Sequence, residues 1–130
     1  PAKLGIVYSG RAIHRVMKAV GPAKTKELLF TGEPITAENA YDAGLLNYVL
    51  DSDDELADRT YEMGETIASN APLSITYMKR ILNALEAKGE LTDAERDWAG
   101  RLRASAFESD DYAEGVEAFS ENREPEFEGR

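Results

Sequence analysis

No cysteine occurs among the 130 residues. That excludes disulfide scaffolds, zinc fingers, iron–sulfur clusters and thiol catalysis. Histidine is nearly absent too, with His14 alone. No apolar run approaches the ~20 residues a transmembrane helix needs. The opening Pro1-Ala2-Lys3-Leu4-Gly5 has neither an initiator Met nor the apolar stretch of a signal peptide. It reads as a chain cut from something longer or trimmed. Basic residues are few: 15 Lys and Arg stand against 25 Asp and Glu, a net charge of −10. Such a chain is poorly suited to nucleic acid or to anionic membranes, which attract basic surfaces. What is present is a 42% apolar fraction, enough to exclude disorder throughout and to build one domain with a core.

The charge is unevenly placed. Residues 1–26 carry six bases and no acid, whereas the other nine bases and all 25 acids lie in residues 27–130, a balance of −16. The N-terminal end can meet an anion, and the rest repels one. A solvated helix face that happens to be basic accounts for the same pattern.

Turn and cap residues divide the chain into short elements. Leu4-Gly5-Ile6-Val7 suits a brief strand. Ser9 can cap a helix with Ile13, Val16, Met17 and Val20 on one face, ended by Gly21. Pro22 then opens a second helix running to about Phe30. Thr36 can cap another, stopped by Gly44, and Leu45 to Leu50 reads as a turn and short strand. Ser52 with Glu55 and Thr92 with Glu95 are capping boxes. Leu56, Tyr61, Met63 and Ile67 define one apolar stripe. Ile75, Met78, Ile81, Leu82 and Leu85 define the next, after the break at Asn70-Ala71-Pro72. Trp98, Leu102 and Ala106 share a side of the following helix. Ser109 can cap the last one, with Val116 and Phe119 predicted inward and Glu114 and Glu117 outward. Pro125 and Gly129 make the end a non-helical tail.

Motif chemistry by itself goes no further than a mostly helical, acidic domain. His14 has Arg11, Arg15 and Lys18 as its near neighbours in sequence and no acid partner for a catalytic dyad. Asp51, Asp53 and Asp54 fit a helix cap better than a calcium loop, since the loop's glycine and twelfth-position Glu are missing. Ser9-Gly10 lacks the preceding glycine of a nucleophile elbow. No P-loop and no GxGxxG occurs.

Three stretches carry a resemblance. Thr31-Gly32-Glu33-Pro34-Ile35-Thr36-Ala37-Glu38-Asn39-Ala40, with Gly44-Leu45-Leu46-Asn47-Tyr48-Val49, resembles a hallmark of the enoyl-CoA hydratase/isomerase (crotonase) superfamily. Ser109-Asp110-Asp111-Tyr112-Ala113-Glu114-Gly115, continuing through Ala118-Phe119 to Arg130, is similar to that family's closing signature. Pro1 to Tyr8 resembles the segment leading into its active-site helix. The resemblance implies the C-terminal half of a crotonase-like (ββα spiral) α/β fold. This half is mainly α with one or two short strands: the end of the spiral core over 1–50 and a helical trimerisation region over 51–130. Most of the CoA-binding loops and at least one oxyanion-hole amide then belong to the other half, so the isolated chain is expected to be inactive.

The resemblance also implies a chemistry. A thioester carbonyl becomes enolate-like, backbone N–H groups stabilise its oxygen, and one side chain selects the reaction. Hydratases carry a Glu directly after the proline of the first motif, where this chain has Ala2, and alanine moves no proton. Tyr8 instead resembles the methylmalonyl-CoA decarboxylase subgroup, as do Lys26-Glu27-Leu28-Leu29-Phe30-Thr31, Leu46-Asn47, Ala71-Pro72-Leu73 and Asp111-Tyr112. Decarboxylation needs no strong base, and one phenol can position the departing carboxylate. Tyr8 is thus the expected catalytic residue, with simple packing against the next helix as the plainer role. CoA phosphates are expected to meet Arg11 or Lys26, with Arg15 and Lys24 as further candidates. Phe119 matches a Phe that family members bring to a neighbouring subunit's CoA. The accompanying Lys position is Asn122, and Arg123 matches the basic residue beside it. A surface salt bridge with Glu121 or Glu124 is the plainer role for Arg123. No metal and no cofactor are expected beyond a CoA thioester as substrate. A homo-oligomer (trimer or hexamer) is expected, with no nucleic-acid or membrane partner and a cytoplasmic location. Two other readings stay open: a hydratase or isomerase working by a variant route, and an inert oligomerisation module.

Overall fold

The computed structural model describes all of residues 1–130. The chain forms two compact units, Pro1–Leu56 and Ala57–Arg130. No helix is long and apolar enough to cross a membrane.

In the first unit, Ala2–Leu4 is a single 3-10 turn closed by Gly5 in the left-handed region. Residues 6–9 run extended into α1 (Gly10–Thr31), whose first orphan amides are met by Ser9 accepting from Ala12 N at 3.3 Å. The expected stop at Gly21 and restart at Pro22 are both present. Gly21 takes φ 74°, ψ 169°, a region open only to glycine, and splits α1 into two helices. Thr25 donates its hydroxyl to Gly21 O at 2.7 Å across that break and is buried. Gly32 caps the end of α1, and Thr36 caps α2 (Ala37–Asp42) by accepting from Asn39 N. Ser52 accepts from Glu55 N, while Glu55 reaches back one residue further than expected, to Asp51 N. This starts α3 (Asp53–Ala68), which crosses the boundary between the units.

The second unit holds α4 (Pro72–Lys88), α5 (Asp93–Phe107) and α6 (Asp110–Glu121). The Thr92–Glu95 capping box is complete. Helices α4 and α5 pack along each other, with the Arg80 guanidinium over the Trp98 ring at 5.4 Å, Tyr77 Oη and Ser105 Oγ 3.4 Å apart, and Lys88 paired with Glu95 at 2.7 Å. Phe107 and Tyr112 join α5 to α6 edge-to-face at 5.0 Å.

Two expectations are corrected. The chain is mainly α, but neither short strand forms. Leu4 N and Ile6 N both bond to Pro1 O in a tight turn, and no neighbouring strand in this chain offers a ladder to residues 6–9 or 45–50. A β-favouring run becomes a strand only when a partner satisfies its amides. The apolar stripes are also less buried than their spacing suggests. Leu56, Tyr61 and Ile67 on α3, Met78 and Leu82 on α4, and Val116 and Phe119 on α6 are exposed, and only Met63 of the α3 stripe is half-buried. The buried apolar side chains are Ala40 and Ala118. Helical periodicity marks a face that avoids water without saying what covers it.

Candidate functional site

A cleft of about 210 Å³ lies in the first unit, and Tyr8 lines it. Pro1, Ala2, Ile6 and Val7 contribute from the N-terminal segment, Ile13 from the first half of α1, and Leu29 and Phe30 from the second. Ile13 and Leu29 are 16 residues apart on what would otherwise be one helix. A straight helix would separate them by about 24 Å. The break at Gly21 turns the second half back, so both halves wall one cleft. Tyr8 is 47% exposed and is the only lining side chain that can make a hydrogen bond. Ala2, at the position where the hydratase pattern places an acid, is part of the same wall. From the sequence, Ile13 is only a helix-face residue, and Leu29 and Phe30 only close the second helix. Their shared cleft follows from the glycine break, which was visible in the sequence but whose angle was not.

The expected phosphate contacts divide. Arg11 stands in the first turn of α1, one turn before Arg15; both are exposed, as is Lys26 in the second half. None of the three enters the ion pairs of the chain, whereas Lys24 is held by Glu27 at 2.9 Å. Arg11 and Lys26 belong to the same unit as Tyr8, and Phe119 and Arg123 to the other.

On α6 the inward face differs from the expected one. Phe119 is 90% exposed, while Asp111, Glu114, Gly115 and Ala118 form the stripe that meets the C-terminal tail. The tail explains why carboxylates face inward. Asp111, 4% exposed, accepts from Glu128 N at 2.8 Å and from Gly129 N at 3.0 Å, and its own N–H donates to Arg130 O. Glu114 accepts from Glu126 N at 2.8 Å and from both terminal nitrogens of Arg123, at 2.6 and 3.0 Å. Arg123 also bonds Glu121 at 2.7 Å and the carbonyl of Glu124 at 3.2 Å, so its guanidinium serves as the tie between helix and tail. The Arg123 bond, aided by the Glu126 amide, holds the Glu114 carboxyl down at about 2, and the same pair pushes the arginine further up. Glu95 is likewise held at about 2, by Lys88 first and then by Thr92. Phe119, with Tyr112, Val116 and Phe127, lines an open apolar hollow of about 500 Å³.

Comparison with known proteins accounts for the whole chain. The sequence model of the enoyl-CoA hydratase/isomerase family matches residues 1–130. The chain therefore belongs to the enoyl-CoA hydratase/isomerase family. It is 37% identical over 129 residues to the methylmalonyl-CoA decarboxylase of Escherichia coli K12, covering 99% of this chain and 49% of that protein. It is 34% identical over 131 residues to the carnitinyl-CoA dehydratase of Salmonella paratyphi A, covering 99% and 50%. Among solved structures, the enoyl-CoA hydratase of Mycobacterium tuberculosis H37Rv superposes with a TM-score of 0.85 at 30% identity, over 98% of this chain and 50% of that one. An enoyl-CoA hydratase/isomerase family protein of Hyphomonas neptunium gives a TM-score of 0.84 at 34% identity, over 98% and 47%. The helices are thus those of the crotonase fold, and the chain spans about half the length of the curated relatives it matches.

Proposed function

We propose that this chain is the acyl-handling part of a CoA-thioester enzyme, and that the reaction is a decarboxylation in which Tyr8 positions the departing carboxylate. The observation that carries this reading is the Tyr8 cleft: one phenol set in hydrocarbon, with Ala2 in the wall where the hydratase pattern calls for a proton-moving acid. In the proposed step the bond from Cα to the carboxylate carbon breaks, CO₂ leaves, and the electron pair enters the thioester carbonyl to form an enolate that takes its proton from solvent. Backbone N–H groups donate hydrogen bonds to the enolate oxygen and stabilise the charge developing on it. A phenol hydroxyl donating one hydrogen bond orients the carboxylate while keeping its own proton. The apolar wall favours loss of a charged group as neutral CO₂, because burying the carboxylate is costly. Exposed Arg11 and Lys26 supply positive charge for the phosphates of coenzyme A. The similarity to a methylmalonyl-CoA decarboxylase supports the reading, and the similarity to a dehydratase names the competing reaction.

Titration calorimetry with coenzyme A is expected to give heat of binding. In the protein assembled with the other half of its fold, Tyr8→Phe is expected to slow CO₂ release from a carboxylated acyl-CoA by about 10²-fold, the scale of a well-placed catalytic contact. Unchanged turnover removes Tyr8 from the reaction. A second reading, an assembly module, is favoured by Met78 and Leu82 on α4 and Val116 and Phe119 on α6, all exposed. Silence on CoA titration together with self-association would favour it.

A further inference from the structure

We infer that the Lys3–Glu33 ion pair locks the two arms of α1 into a closed frame around the cleft, and that Lys3 is a positioning residue for Tyr8. The inference rests on the reading of Tyr8 as the reaction site and adds what holds that phenol in place. The break at Gly21 leaves α1 as two arms that meet there, one starting after Ser9 and the other ending at Thr31. A single glycine joint fixes an angle weakly, because glycine has the widest backbone freedom of any residue. Residues 1–9 run between the far ends of the arms. Ser9 joins them to the first arm by accepting from Ala12 N. Lys3 joins them to the second: its Nζ lies 2.7 Å from Glu33 Oε1, 30 residues on in sequence. Three joints close a triangle, and Tyr8 stands on the side that Lys3 fastens.

Both ends of this tie are held. The turn that carries Lys3 is closed by Leu4 N and Ile6 N, which donate to Pro1 O at 2.9 and 3.2 Å. On the other side Glu33 N donates to Thr31 Oγ1 at 3.2 Å, and the Thr31 hydroxyl donates to Glu27 O at 2.7 Å. Glu33 therefore moves with the last turn of α1. The methylenes of Lys3 lie across Gly32: a Cβ there would stand 3.3 Å from Lys3 Cγ and 3.4 Å from its Cδ and Cε. Bare backbone at Gly32 seats the lysine stem, and the ammonium reaches the next residue. Leu29 and Phe30 sit on the same arm, so the tie sets how far they stand from Ala2 and Tyr8 across the cleft. Both charged side chains are largely exposed, and an exposed ion pair adds little to stability. Its contribution is to geometry, and losing it is expected to displace Tyr8 while leaving the chain folded.

The test is charge reversal followed by charge exchange. In the NMR spectrum of the chain, the Tyr8 ring resonances are expected to shift in Lys3→Glu, where two carboxylates face each other, and to return when Glu33→Lys is added. Lys3→Met keeps the stem over Gly32 without the charge and is expected to shift them less. Should Lys3→Glu fail to fold, the Lys3→Met shift decides. In the protein assembled with the other half of its fold, Lys3→Glu is expected to slow CO₂ release from a carboxylated acyl-CoA about tenfold, with KM held within about twofold, since small misplacements of a reacting group cost rate. In the Tyr8→Phe background the same substitution is expected to change the rate by less than about twofold, because residues that act through one another are not additive. Equal losses in both backgrounds, or Tyr8 resonances that none of the variants moves, overturn the inference and leave Tyr8 in its proposed role. A Tyr8→Phe protein as fast as the unaltered one overturns that role instead, while resonances that shift and return with the charges still assign the placing of the ring to Lys3.

Discussion

Glu114 shows how much one side chain can organise. It faces the tail from α6, accepts from Arg123 and from the Glu126 amide, and is held at about 2, well under its ordinary 4.5. A carboxyl depressed by folding adds stability that is fully present above its unfolded value and is lost as pH falls through its folded one. The tail is therefore expected to stay bound at pH 7 and to loosen progressively between about 4.5 and 2. Amide exchange at Glu126 and Glu128, followed down the pH scale, checks this, and Glu114→Gln should loosen the tail already at neutral pH. This part of the site was not legible in sequence. The helix pattern pointed to Val116 and Phe119 as inward, because apolar side chains are the usual inward ones. The actual inward stripe contains two acids, and what recruits them is the set of free amides in a non-helical tail. The missed signal was a pair of carboxylates three residues apart, followed by a segment that Pro125 and Gly129 keep from pairing its own amides. Tyr8 was legible only through family resemblance, since a lone tyrosine before a helix has no distinguishing pattern.

At the scale of elements, local chemistry predicted well because it is local. Ser9, Thr36, Thr92 and Ser109 each accept from the amide three residues on, as their position before an apolar repeat implied. Gly21 and Pro22 marked the division of α1. The strands failed for the opposite reason, since strand formation depends on a partner that short-range pattern does not contain. The α1 break also has the largest consequence of any single residue for the cleft, because it brings Ile13 and Leu29 to one wall. Gly21 sits at φ 74° and ψ 169°, with no atom near the space a Cβ would take, so the obstacle to a side chain there is backbone conformation rather than crowding. Gly21→Ala is expected to cost about 1–3 kcal/mol in thermal or urea unfolding. The same substitution should weaken acyl-CoA binding by more than it weakens binding of coenzyme A itself, because the bend brings Leu29 and Phe30 to the cleft beside Tyr8, whereas Arg11, one of the two residues proposed for the phosphates, precedes it. Equal losses for the two ligands would show that the bend does not shape the acyl cleft.

For the whole molecule the informative quantity is uncovered apolar surface. In the first unit Val7, Phe30 and Leu4 are exposed, and in the second Tyr61, Leu82 and Phe119 are. Each unit buries little apolar side chain of its own, with Ala40 in one and Ala118 in the other. Patches of this kind mark surfaces made to be covered, and the curated relatives are about twice as long as this chain. Sedimentation at micromolar concentration is expected to show species heavier than 14.3 kDa. Leu82→Glu should shift that distribution toward the monomer, since a charge on a covered face loses its water without a partner. A size distribution left unchanged by the substitution would remove α4 from the assembly. This level of organisation was the least legible, because the composition that predicts a core is satisfied equally by surfaces that meet another half of the fold or another copy.

Trp98 is the chain's only tryptophan, and it lies on α5 beneath the guanidinium of Arg80 from α4. Its emission therefore comes from one place, where a cation from the neighbouring helix sits over the indole. Any event that parts those two helices, whether docking of another protein or heating, changes that environment at a single fluorophore, so the molecule contains its own optical reporter without any added dye.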